Sequence, residues 1–559
     1  MQTTQFCTTR FSLFRKKFCG KTETALGIPF PADYVIPMTV NYYIAVTAAI
    51  AAAVPFAAAG WALRRPLPEK TARGIVFAAA AVFALAYWGA GVVKYRADLF
   101  GLWDFGIYDS MLHIAAQGGG LLRDFRGGAF DHFSPAALVL LPFYQLWDSP
   151  HWLIAFQPVV MAAAAIPLYF AGLRLLRNPV YAMLAPLLYL FNPYFARLAL
   201  FDFHIECLFP LWFALGFLAW TQHRMRRFLF WMLTLPLIKE DFVIPLGAAG
   251  LWMLSLRGRR RAGVLCLAGA LLWTLFILKI HFPLLVKADY WHYGRYELFA
   301  PTLSGTLANF GAMLARLVQP HVPAVLLSVL LPFAFLPLLS WRGLILLVLP
   351  TLGIQLVSAF DQQQLLFSHY ASALVGVLPA ATILGLRQLR ILLWKQKLTR
   401  YIGAVAGAAI GIMLASHILF ADLPQNRYYI HLAGYDTARG GSLLAIPFSA
   451  ERREELRGKL QNAAELKKVT GRIPDGATVV AQNETGLKLL RRCQVFNVPG
   501  PEKADFYLFD RENHHGYESP EELNSLLMRL LRDPDYRFER YGKGILLFRK
   551  LTPSVRTKR

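Results

Sequence analysis

A chain of 559 residues that is 56% hydrophobic and 14% aromatic, with only 16% charged residues, has too little polar surface to fold as a string of soluble domains. Its 58 Lys+Arg against 34 Asp+Glu leave a formal charge of +24, which in so apolar a chain is first a signal of membrane orientation and not a nucleic-acid footprint. The cysteines have no CxxC spacing, so neither a disulfide framework nor a cysteine metal site is indicated.

Residues before Met38 carry Arg10, Arg15, Lys16, Lys17 and Lys21 with no clean apolar stretch behind them. Residues 1–38 therefore read as an extension upstream of a start at Met38, and not as a signal peptide. A hydrocarbon core about 30 Å thick needs roughly 20 apolar residues per helix. Residues 39–420 offer such windows at 39–63, 74–93, 151–173, 179–199, 207–221, 228–238, 242–256, 263–285, 321–340, 344–360, 371–386 and 401–420. The expected fold is thus mainly α, a polytopic helical membrane protein of about twelve spans. The windows meeting at 238–242 are either two compact helices or one broken helix.

Short loops set the orientation, because Lys and Arg are retained in the cytoplasm. Arg64 with Arg65, Lys70 and Arg73, then Arg174 and Arg177, Arg224 with Arg226 and Arg227, Arg257 with Arg259, Arg260 and Arg261, Arg342, and the basic stretch 387–400 all fall on one face. The other face receives 94–150, 201–206, 239–241, 286–320, 361–370 and the whole tail 421–559. The tail has no spanning run. It holds a charged helical stretch at 450–468, β-prone runs at 477–481, 494–497, 506–509 and 544–548, and a helical period at 520–533 with Ser519 as N-cap and Glu521 and Glu522 in the first turn. A small α/β domain outside the membrane is expected.

The outer segments carry the chemistry. Asp104-Phe105-Gly106-Ile107-Tyr108-Asp109 opens the first large loop, which continues through His113 to Asp131-His132-Phe133-Ser134-Pro135. Asp104 and Asp109 are either acids of a site, or a helix cap and a solvated surface residue. In Phe201-Asp202-Phe203-His204-Ile205-Glu206 the alternate residues would share one face of an extended segment, and carboxylate plus imidazole suits a divalent metal; the bland alternative is a cap at Asp202 and an interfacial His204. Lys239-Glu240-Asp241 interrupts a long apolar run, which is costly unless the helices bend around a polar cavity, although a tight outer turn would also hold it. Lys239 is a candidate phosphate ligand. Ser368-His369-Tyr370 brings another imidazole to the same level. Distant stretches of chain thus deliver ionisable groups to one membrane face.

In this order the motifs resemble the DUF2079 family of predicted bacterial membrane proteins, itself similar to the GT-C glycosyltransferase superfamily. Ile473-Pro474-Asp475-Gly476-Ala477 and Ala481-Gln482-Asn483 in the tail are similar to the family's soluble end. The resemblance implies a GT-C-like domain over 39–420 with its catalytic loop at 94–150, an extracytoplasmic domain over 421–559, and a place in the bacterial inner membrane. It implies transfer of a sugar from a polyprenyl-phosphate donor to a glycan, lipid or protein acceptor. Asp104 and Asp109 would be the candidate bases. His132, Lys239, Glu240, Asp241, His369 and Tyr370 would bind donor or acceptor, and Asp202, His204 and Glu206 would be ligands of a divalent ion such as Mg or Mn. One departure stands out, a second span before the catalytic loop where GT-C chains carry one. Against the transferase stand a transporter or lipid flippase, expected to keep its charges near the midplane and to show inverted repeats, and a membrane-anchored binding protein that merely holds the tail.

Overall fold

The computed structural model describes residues 47–60, 67–121, 123–126, 132–287, 290–299, 302–319, 321–366, 368–420, 450–511, 520–542 and 544–551. The N-terminal extension, the start of the first window, Asp131, Ser519 and the first part of the tail lie outside them.

Among the described residues, five helices are long and apolar enough to cross a membrane: Glu69–Arg96, His151–Leu176, Arg260–Val286, His369–Lys395 and Thr399–Ile418. Pro179–Leu190 and Pro193–Leu200 add a sixth if taken together, bent by 47° at their junction. Three of the other windows fold as shorter apolar helices, Thr47–Gly60, Ile205–Thr221 and Trp341–Leu356. By length alone the structure thus supports fewer crossings than the apolar windows suggest.

The breaks are written in the sequence. Asn178 and Asn192 each precede a proline. The Asn178 side chain accepts from the amides of Val180 (3.0 Å) and Tyr181 (3.2 Å), and that of Asn192 from the amide of Tyr194 (2.8 Å). Each pair is an N-cap followed by a proline in the first turn, where a missing N–H costs nothing. Pro236 does similar work in the turn Leu235–Leu237, which leads into the 3-10 turn Glu240–Phe242. The Lys239 region is therefore irregular backbone between two separate helices, Met225–Leu233 and Val243–Leu254. The second of these crosses Arg260–Phe276 so closely that a Cβ at Gly263 would stand 2.8 Å from the Gly250 carbonyl oxygen. Such contacts let apolar helices pack where no hydrophobic force drives them together.

The tail forms a five-stranded sheet from β1 (Thr478–Ala481), β2 (Gln494–Asn497), β3 (Phe506–Asp510), β4 (Tyr536–Tyr541) and β5 (Ile545–Lys550), in the order β2-β1-β3-β5-β4. β1 runs parallel to both neighbours, with Val479 opposite Val495 and Phe506, and β5 is antiparallel to β3 and β4. Helices Ala450–Thr470 and Pro520–Arg532 flank it. Alternation along β1 sends Val480 to a core with Leu523, Leu527 and Leu530 of the second helix, and Val479 and Ala481 to the core shared with the helical domain. The tail is thus packed onto the rest of the protein.

Candidate active site

Lys94, near the end of the Glu69–Arg96 helix, is fully buried, and its ammonium donates to the Leu200 carbonyl (3.0 Å) and to Asp202 Oδ1 (2.8 Å). The other oxygen of Asp202 accepts from the amide of Gly101 at 2.7 Å. Asp202 thereby ties the end of one bent helix pair to the entry of the first large loop. That loop starts as a π-helical turn, Leu102–Gly106, before the α-helix Ile107–Ala116. Such wide turns re-aim side chains and are frequent at functional sites. Asp104 stands on it with 30% of its side chain exposed.

The extended segment after Leu200 aims His204 at that carboxylate. Its Nε2 lies 3.4 Å from Asp104 Oδ1, and its Nδ1 is 2.9 Å from the Asp202 carbonyl. A carbonyl only accepts, so Nδ1 carries a hydrogen and Nε2 is left to the acid. Burial opposes the charge on His204, yet the Asp104 and Glu206 carboxylates outweigh it and raise its pKa. Gln157 accepts from the His204 amide (3.0 Å) and donates to the carbonyls of Leu198 and Phe201, which fixes the segment. The ring stacks on that of His369 at 3.9 Å between centroids.

His369 lines a small cavity together with Glu206, Lys239, Asp241, Gln355 and Tyr370. Lys239 donates to Glu206 Oε1 at 2.6 Å. Glu206 Oε2, Asp241 Oδ1, Gln355 Oε1 and His369 Nδ1 are buried without hydrogen-bond partners among the described residues. Unsatisfied buried polar atoms are rare in folded proteins, and their concentration around one cavity is what a polar ligand site requires. Burial pushes the Asp241 carboxyl up to about 6 against the pull of Lys239. Behind Tyr370, Arg295 donates to the Tyr370 hydroxyl (3.1 Å), and its guanidinium lies 4.9 Å from the centre of the Phe360 ring. Arg295 and Lys94 belong to none of the motifs noted in the sequence; an uninterrupted charge at the end of an apolar helix was the available signal for Lys94.

The expected metal ligands separate. Asp202 is neutralised by Lys94 and Glu206 by Lys239, while His204 faces Asp104, so the three do not form a ligand set. Among the described residues the group whose ligand atoms all lie within 4.8 Å of one another is His132, Glu240 and His292. His132 Nδ1 is 2.6 Å from Glu240 Oε1, the two rings of His132 and His292 stack at 4.0 Å, and Tyr290 donates to Glu240 Oε1 at 3.1 Å. Two imidazoles and a carboxylate are a sound donor set for a divalent ion.

Asp109 is placed differently from Asp104. It is almost fully buried; Tyr144 donates to Oδ1 (2.8 Å), and Arg491 of the tail donates to Oδ1 (2.7 Å) and Oδ2 (3.2 Å). Arg491 also reaches Asp148 Oδ1 at 2.8 Å. Both Asp109 oxygens are taken up by Tyr144 and by Arg491 of the tail, and Asp104 is the more exposed of the two acids.

The fold is shared with a solved structure, the crystal structure of ArnT from Cupriavidus metallidurans bound to undecaprenyl phosphate. The match has a TM-score of 0.50 at 12% identity and covers 86% of this chain and 98% of that one. No curated protein matches the sequence. The family of predicted membrane proteins DUF2079 matches residues 96–485, well over half of the chain and all the residues gathered around the cavity, and the chain belongs to that family.

Proposed function

We propose that this protein is a membrane glycosyltransferase of the GT-C kind, moving a sugar from a polyprenyl-phosphate donor to an acceptor on the outer face of the bacterial cytoplasmic membrane. The observation that carries the reading is the cavity at Lys239 and His369, with unpaired polar atoms inside it and the Asp104–His204 pair joined to it through the stacked imidazoles. The ArnT structure of the same fold was solved with a polyprenyl phosphate.

In this reading Lys239 and Arg295 hold the donor phosphate, as a point charge and a planar fork respectively. Asp104 accepts the proton of the acceptor hydroxyl as its oxygen attacks the anomeric carbon. The bond from that carbon to the phosphate oxygen breaks, and the leaving phosphate departs against Lys239. A single displacement inverts the anomeric centre. His204 holds Asp104 in place and keeps positive charge near the leaving group. His132, Glu240 and His292 would hold a divalent ion, which would supply further charge neutralisation. The chain would cross the membrane about twelve times, several spans being short or broken, with the basic loops inside and the tail outside.

Broken helices also occur in secondary transporters, where they coordinate substrate, and the 47° bend before Asp202 is such a break. Purified protein in lipid vesicles with radiolabelled polyprenyl-phosphate sugars separates the readings. Bond formation abolished by Asp104→Asn supports the transferase; flux across the vesicle with no new bond supports the transporter.

A further inference from the structure

The tail touches the first outer loop at the turn that bears Asp104. Gln482, at the carboxyl end of β1, accepts from the Asp510 amide at 2.7 Å and so anchors the next residue to the sheet. That residue, Asn483, accepts through Oδ1 from the amide of Trp103 at 3.1 Å. Trp103 immediately precedes Asp104, and its N–H lies in the first turn of a helix, where backbone donors lack helical acceptors. An acceptor from another domain therefore fixes the peptide beside the candidate base.

The surroundings are built for this contact. Gly101 has φ −108° and ψ 163°, a conformation open to any residue, yet a Cβ there would stand 2.3 Å from Asn483 Nδ2. A side chain at this position would therefore displace the Asn483 amide, while its own backbone would be unstrained. A Cβ on Gly106 would come within 2.8 Å of Leu490, and one on Gly486 within 2.6 Å of Leu102. Lys488 clamps the stem, donating to the Tyr95 carbonyl at 3.0 Å and pairing with Asp98 at 3.1 Å. The turn 101–106 is held between Asp202 on the membrane side and Asn483 on the tail side.

We propose that Asn483 is a positioning residue: by accepting from the Trp103 amide it sets the direction of the turn that presents Asp104, so the tail completes the active site. The role of Asp104 in this statement rests on the transferase reading above. A displacement of about 1 Å at a reacting group costs on the order of a hundredfold in rate, so a single interdomain hydrogen bond at this place has catalytic weight.

The test uses the full chain in lipid vesicles. Asn483→Leu keeps the size and loses the acceptor, whereas Asn483→Asp keeps an accepting oxygen. Hydrogen exchange of the peptide covering 101–108 is measured alongside kcat and donor KM. Asn483→Leu is expected to speed exchange in that peptide and to lower kcat on the order of tenfold to a hundredfold with donor KM unchanged, and Asn483→Asp to restore most of both. Gly101→Ala acts through the same contact, so Gly101→Ala combined with Asn483→Ala should be no worse than Asn483→Ala alone. Unchanged exchange in Asn483→Leu overturns the proposal whatever the activity, and so does an equal loss in the Leu and Asp variants. If the wild-type protein transfers no sugar while Asn483→Leu still frees the 101–108 peptide, the transferase reading fails and the hold of Asn483 on the turn stands.

Discussion

His204 Nε2 faces Asp104 Oδ1 at 3.4 Å, while the opposite ring nitrogen is occupied by the Asp202 carbonyl. The imidazole is thereby oriented so that only one edge is left for the acid. Asp104→Asn keeps the shape and removes the proton acceptor, and a general base contributes about 10²–10⁴ in rate. A loss of that size in kcat with unchanged donor KM is expected, measured by steady-state transfer in vesicles. His204→Phe preserves the stack on His369 and is expected to lower kcat less than Asp104→Asn does.

Lys239 and Glu206 form a buried pair at 2.6 Å with side chains 6% and 2% exposed. Removing one partner leaves a bare buried charge, which costs about 3–5 kcal/mol. Lys239→Met should therefore destabilise the protein strongly and, if Lys239 holds the donor phosphate as proposed, abolish binding of the polyprenyl-phosphate donor. Lys239→Met with Glu206→Gln should recover much of the stability in thermal unfolding and none of the binding.

The pH dependence follows from Asp241, whose carboxyl burial raises to about 6. Below that pH the group is neutral; above it a carboxylate would stand beside a phosphate held by Lys239 and repel it. Donor KM is expected to climb as the pH rises through about 6, and Asp241→Asn to flatten that climb. The check is a KM-against-pH profile for both proteins.

The fold was legible where local rules decide it. The alternating and apolar runs of the tail gave β1, β2, β3 and β5, and Lys239-Glu240-Asp241 announced a polar interruption, whereas the window 179–199 read as one span although it breaks at Asn192-Pro193. β4 escaped because Tyr536-Arg537-Phe538-Glu539-Arg540-Tyr541 alternates charge on a sheet edge, where an exposed face reads as a loop. The pairing of Asp202 and Glu206 escaped because alternation along one strand puts Asp202, His204 and Glu206 on a shared face but says nothing of Lys94 and Lys239, which arrive from distant segments and neutralise the carboxylates. The role of Asp109 escaped for the same reason, since Arg491 lies in a different domain.

Arg491 bridges Asp109 and Asp148, and burial of Asp109 makes the pair hard to break without cost. Arg491→Ala strands the Asp109 carboxylate and is expected to weaken tail docking by about 3 kcal/mol. Limited proteolysis should then cut near the residues joining the helical domain to the tail faster than in the wild type. Asp109→Asn, which retains hydrogen-bond acceptance, should have the smaller effect.

His132, Glu240 and His292 are expected to hold a divalent ion in the purified protein. Elemental analysis should find the ion at near one per chain in the wild type, and His132→Ala with His292→Ala should lose it. Restoring activity of chelator-treated protein by added Zn, Mn or Mg would show which ion serves.

The most direct test is transfer itself: purified protein in lipid vesicles, a panel of radiolabelled polyprenyl-phosphate sugars, and extracted envelope lipids and glycans as acceptors, with Asp104→Asn in parallel. The wild type should release polyprenyl phosphate and label an acceptor, and Asp104→Asn should do so at least about a hundredfold more slowly. Equal transfer by both proteins, or donor moved across the bilayer with its sugar still attached, would contradict the account.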